Sequence, residues 1–211
     1  VDEAYAQQVA YRRDLLRNKR ALVLEDRAPE AQAAIHELFD AALELMPSMG
    51  FRIDQEHIHC PDGTRVDRSG DTPLALLGKS LQEDICILTK SGDEHILSAA
   101  VLCFPASWIL SEKIGRPLTA IHVPVPQYDA DIARRVQRLF DGVRAGRPLW
   151  RNNFLRYDEP DLFQQVSEND PQRREPPSGQ EAYLRAERQV ILRLPETQAV
   201  VFSIHTYVVA A

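Results

Sequence analysis

With 211 residues, 44% of them hydrophobic and 27% charged, the chain has the make-up of a soluble globular protein, long enough for one large domain or a domain with an appendage. A formal net charge of −6 argues against a general nucleic-acid or anionic-membrane binder, which needs a basic face. No apolar run approaches the roughly 20 residues of a membrane helix, and the N-terminus carries no basic segment followed by an apolar core.

Residues 5–24 read as a charged helix, from Tyr5 through Leu15 and Leu16 to Leu22. A second helix starts near Pro29, with Ile35, Leu38, Phe39, Ala42, Leu45 and Met46 at three- and four-residue spacing, and stops at Pro47 and Gly50. Phe51–His59 reads as extended, closed by the turn Pro61-Asp62-Gly63. His57, His59 and Cys60 invite a metal or thiolate–haem reading, but a structural zinc site needs four ligands, so a polar strand end is the simpler account. Asp71 and Pro73 open a short helix bearing Leu74, Leu77 and Leu81. The apolar runs 84–89 and 96–104 flank Ser91-Gly92-Asp93 and predict a hairpin. Cys86 and Cys103 fall inside those runs as small buried hydrophobes, and three cysteines without a close pair suit reduced, cytoplasmic thiols.

Ser107 is a possible cap for a helix carrying Trp108, Ile109, Leu110 and Ile114 that ends at Gly115. Pro124 and Pro126 then stiffen the chain beside His122 and predict an extended segment presenting that imidazole. Asp129 caps a helix with Ile132, Val136, Leu139, Phe140 and Val143 on one face, Arg134, Arg135 and Arg138 on the other, and Gly146 as its stop. Leu149–Tyr157 reads as a strand, 158–180 as irregular, and Ala182–Leu194 with Ala199–Val209 as a long hairpin.

Two strands, helices, then three strands resemble the PAS arrangement. The fold expected is α+β: a PAS-like five-stranded antiparallel sheet over 81–211 with helices packed on one face, preceded by a helical N-terminal region over 1–80. Such a sheet leaves a pocket under its helices suited to a flat cofactor. Arg188 shares a strand face with Leu184, Ala186, Val190, Leu192 and Leu194, so its guanidinium needs an anion or polarised partner: a structural salt bridge, a course that snorkels to the sheet edge, or a ligand in the pocket. Glu187 points to the opposite face as an ordinary partner. Arg151 with Asn152 or Asn153 forms a second candidate group able to donate to an anion. His205 and Tyr207 share a face of the last strand, at the pocket or at an exposed edge. No Gly-rich phosphate loop, Gly-x-Ser-x-Gly elbow or Cys-x-x-Cys occurs, so any redox electrons come from another chain.

The ordered segments Gln82–Leu88, Phe104–Trp108, Glu112–Leu118, Ile121–Pro126, Trp150–Phe154, Glu187–Gln189, Arg193–Thr197 and Phe202–Tyr207 resemble the haem-dependent oxidative N-demethylase α-subunit family. A tryptophan is common in that family where Phe154 stands. The resemblance implies a haem b-binding PAS domain turned enzyme, performing oxygen- and NADPH-dependent demethylation of a small secondary amine such as dimethylamine to methylamine and formaldehyde. It also implies flavin and iron–sulfur reductase subunits, with FMN, a 2Fe-2S centre and tetrahydrofolate outside this chain. On that footing His122 is the expected haem-iron ligand, and Arg188 and Arg151 divide the tasks of polarising bound oxygen and holding a propionate, with Asn152 beside them. A haem-based gas or redox sensor without turnover is the alternative from another class.

Overall fold

The computed structural model describes residues 1–122, 130–170 and 182–211. The N-terminal region comprises α1 (Tyr5–Asn18), α2 (Arg20–Val23), the two-residue strand β1 (Leu24–Glu25), α3 (Gln32–Leu45) and α4 (Pro73–Ser80). The single helix expected over 5–24 is broken at Lys19, whose φ of −131° is not helical. Gly50 ends the α3 region at φ +93°, a conformation open to glycine without a Cβ clash. The extended segment expected after it is instead a small sheet of β2 (Arg52–Ile53), β3 (His57–His59) and β4 (Arg65–Asp67).

The main sheet contains β5 (Asp84–Ser91), β6 (Glu94–Val101), β7 (Leu149–Tyr157), β8 (Tyr183–Arg193) and β9 (Val200–Ala210), all paired antiparallel. Its order is β1-β6-β5-β9-β8-β7, six strands where five are expected. The extra strand is too short for any sequence signal: Leu24 and Glu25 pair with Val101 and Ala100 at the edge.

Both faces of this sheet are covered, which corrects the expectation of helices on one side. On the helix face, Ile85, Ile87, Ala99, Val101 and Val201 share a core with Val9, Leu16, Ile35, Leu74 and Leu77. The approach there is close: a Cβ on Gly78 of α4 would lie 2.5 Å from Val101 and 3.1 Å from Leu16, so only glycine fits. On the opposite face, Cys86, Leu88, Leu97, Ala100, Leu102 and Val200 pack with Leu110, Leu118 and Phe140. The pairing shifts between Ile87 and Leu88, so the parity of inward residues changes along this hairpin.

The helix expected over 108–114 is a single 3-10 turn, Leu110–Glu112, because Ser107 takes φ +59° and turns the chain instead of capping it. Helix α5 (Leu118–His122) follows, then α6 (Ala130–Gly142). His122 closes a helical turn, not an extended segment: the steric effect of Pro124 falls on residue 123 and spares His122. The prolines at 124 and 126 lie outside the described residues, as does the cap at Asp129. Gly146 does not end α6; it sits in the Arg144–Arg147 turn at φ +72°. No helix among the described residues is long and apolar enough to cross a membrane.

Candidate functional site

The face of the sheet away from the N-terminal helices is incompletely filled. A cavity of about 560 Å³ lies between it and the α5–α6 region, floored by Cys86, Leu88, Leu97, Ile191, Phe202 and Ile204 and covered by Leu118 and Ile121 of α5 with Val136 and Phe140 of α6. Leu139 and Leu149, both about half exposed, stand at its mouth. The size falls within the range of pockets that take small molecules or cofactors.

One row supplies several of the polar groups at this apolar space; Asn153 and the buried Lys113, whose Nζ lies 2.6 Å from Glu168, also line it. Strand alternation sends Arg185, Glu187 and Gln189 of β8 to the cavity face, and all three are buried. Arg185 Nε donates to Glu187 Oε1 at 3.0 Å, and its Nη atoms donate to the carbonyls of Leu162 (3.1 Å) and Phe104. Glu187 Oε2 accepts from Gln189 Nε2 at 3.0 Å. Gln189 Oε1 in turn accepts from Nε of Arg151 at 2.8 Å, across the Arg151–Gln189 pair of the β7–β8 ladder. The two terminal nitrogens of Arg151 have no protein partner among the described residues, so the row ends in a guanidinium held through Nε at the exposed side of the cavity.

Arg151 is therefore where the sequence reading puts it, and Asn153, two residues on, lines the same cavity. Asn152 does not; it is paired with Arg188, and both stand on the helix face. Arg188 shares its face with Ala186, Val190 and Leu192, as expected, but that face is not the cavity wall; the N-terminal helices pack on part of it, against Leu192 and Val201, and leave Arg188 exposed. An apolar face identifies the pocket only in a one-sided sheet, and this one has two covered sides. Arg188 is 52% exposed and lies 4.0 Å from Glu83 Oε1. Glu187, expected to be an ordinary partner on the far side, is the buried carboxylate of the cavity.

His205, also on the helix face, is buried, with Nδ1 3.0 Å from Glu83 and Nε2 2.8 Å from Asp2. It is neither exposed at an edge nor in the cavity. The ion pair with His205 holds the Glu83 carboxyl below its usual range in spite of the desolvation that opposes it.

The backbone of His122 ends α5, two residues of which cover the cavity; its side chain lies outside what is described. His95, which the sequence reading did not single out, is wholly buried beside Phe140, with its Nδ1 2.7 Å from Gln137 and its Nε2 buried without a partner. Burial keeps its pKa below the ordinary imidazole value. A lone histidine in a strand carries no spacing signal that would have found it. Among the described residues no group of three or more His, Cys, Asp or Glu could hold a metal ion; His59 instead bonds Asp54 at 2.6 Å, and Cys60 is buried. All three cysteines are free and buried, and desolvation raises the Cys103 thiol to about 12, leaving it unreactive.

A family model described as haem-dependent oxidative N-demethylase, alpha subunit-like, matches residues 1–211, the whole of the chain.

Proposed function

Given that the chain belongs to the haem-dependent oxidative N-demethylase, alpha-subunit-like family, we propose that it binds haem b in the cavity between the sheet and α5–α6 and demethylates a small secondary amine such as dimethylamine. The observation that carries this reading is the cavity itself: an apolar chamber of about 560 Å³ into which one polar row delivers the Arg151 guanidinium. The strand order β6-β5-β9-β8-β7 supports a PAS-like domain for the five longer strands.

Haem is a flat, mostly apolar ring with two carboxylates, and these residues fit it. Leu97, Leu118, Ile121, Ile191 and Phe202 offer apolar walls, and Arg151 offers free donors for a propionate or another anion. His122 is the residue we propose would hold the haem iron, because α5 ends there after contributing Leu118 and Ile121 to the cavity. When bound, haem supplies the oxidation: the methyl carbon is oxidised to formaldehyde, and dioxygen is reduced with electrons from NADPH. Flavin and iron–sulfur subunits deliver those electrons, and FMN, a 2Fe-2S centre and tetrahydrofolate reside on them.

The chain's own contribution is placement. The buried Arg185–Glu187 pair anchors Gln189, and Gln189 holds Nε of Arg151, so the outward nitrogens are oriented before a ligand arrives. The buried part of the row, Arg185, Glu187 and Gln189, lies among aliphatic and aromatic residues where each hydrogen bond is stronger than in water; Arg151 itself stands at the exposed end.

Two measurements test the proposal. The purified chain supplied with haem should show a Soret shift when reduced under carbon monoxide, and formaldehyde should form from dimethylamine once a reductase is added. Absence of the shift overturns haem binding, whereas a shift without formaldehyde identifies a sensor. His122→Ala should abolish the native coordination spectrum. If His95→Ala does so and His122→Ala does not, the ligand is His95, whose Nε2 lacks a partner.

A further inference from the structure

A second concavity lies on the other side of the molecule and shares no lining residue with the cavity just described. It is a groove of about 450 Å³ between α1, β4 and the end of α4, lined by Arg13, Arg17, Arg65 and Lys79 over an apolar floor of Leu16 and Val66. In a chain of net charge −6 this is a local surplus of cations.

Asp67 and Asp71 also line the groove, and the carboxylates there take up only part of that surplus. Asp71 is held by Arg20 and Lys79, each at 2.7 Å. Asp62 accepts from Arg13 Nη1 at 2.6 Å, and Asp67 accepts from the Ser69 backbone and hydroxyl, both at 2.8 Å. Arg17 and Arg65 have no carboxylate or hydrogen-bond partner among the described residues. Arg13 lines the groove as well, and its Nη2 is buried and makes no hydrogen bond. A buried guanidinium nitrogen left unpaired costs free energy that a bound oxyanion would recover.

We propose that this groove binds a small polyoxyanionic molecule, its charge carried by phosphate or carboxylate groups and its apolar part resting on Leu16 and Val66. Arginine forks donate to either oxyanion in parallel pairs, and the spread of Arg13, Arg17 and Arg65 calls for at least two anionic groups or one diphosphate. The site is independent of haem chemistry.

The test is calorimetric titration of the full chain at low ionic strength, with inorganic pyrophosphate in one arm and citrate in the other. Saturable binding of at least one is expected. Arg17→Ala and Arg65→Ala, each at an exposed position and so neutral for folding, should each weaken it about tenfold, the loss of one charge-assisted hydrogen bond. Pyrophosphate binding alone identifies a phosphate site and citrate binding alone a carboxylate site. The proposal is overturned if neither saturates in the millimolar range, or if the Arg17→Ala/Arg65→Ala double variant binds as the parent does.

Discussion

Two arginine-led networks among the described residues begin alike, with a buried ion pair, and differ in how they end. At the start of β5, Arg12 is enclosed completely: it bonds Asp84 at 2.5 Å and the carbonyls of Gly78, Gln82 and Glu83, while Asp84 also accepts from the backbone N–H groups of Cys103 and Phe104. Each nitrogen of the Arg12 guanidinium and both oxygens of Asp84 have a partner within the protein, and the network joins α1, α4 and the start of β5 in the interior of the sheet. The row Arg185–Glu187–Gln189–Arg151 begins the same way, with a buried pair, but ends at Arg151 with donors facing the cavity. A closed network stabilises; an open one leaves its last group for a ligand.

The comparison is broken most severely at its closed end. Arg12→Ala leaves Asp84 buried with only backbone partners, and we expect a loss of about 3–5 kcal/mol in denaturant unfolding, since an unpaired buried charge is left behind. A loss below about 1 kcal/mol would mean that the two networks do not differ as described. At the open end, Gln189→Leu removes the link between Glu187 and Arg151. A stability cost of about 1 kcal/mol is expected, together with faster haem loss in a transfer assay to a stronger haem acceptor. Unchanged haem retention would show that the row is structural as well. Arg188→Ala sharpens the contrast from the third side. Arg188 is half exposed, lies 4.0 Å from Glu83 and stands away from the cavity, so stability should change by no more than about 0.5 kcal/mol, with haem spectrum and turnover intact. Lost turnover with a normal haem spectrum would return Arg188 to the catalytic machinery.

Much of the secondary structure was legible. The β5–β6 hairpin, β7 and the β8–β9 hairpin follow from apolar runs and turn residues, and α3 follows from a stripe at helical spacing. What failed was local in character. Ser107 at positive φ ended a helix before it began, and a two-residue strand such as β1 exists only because β6 offers it an edge.

The candidate site was legible only in part, for one physical reason. Alternation along β8 correctly separates Arg188, Val190 and Leu192 from Arg185, Glu187 and Gln189, because successive side chains of any strand point to opposite sides. It says nothing about which side carries the cavity. The sequence by itself therefore determined the strands, their two sets of side chains and the membership of a haem-dependent family. Only the tertiary structure decided that the N-terminal helices dock on the side of the sheet to which Arg188 belongs, although Arg188 itself stays half exposed. That packing leaves the face of Glu187 and Gln189 to the cavity, since the choice of face depends on how distant segments dock and not on any residue of the strand.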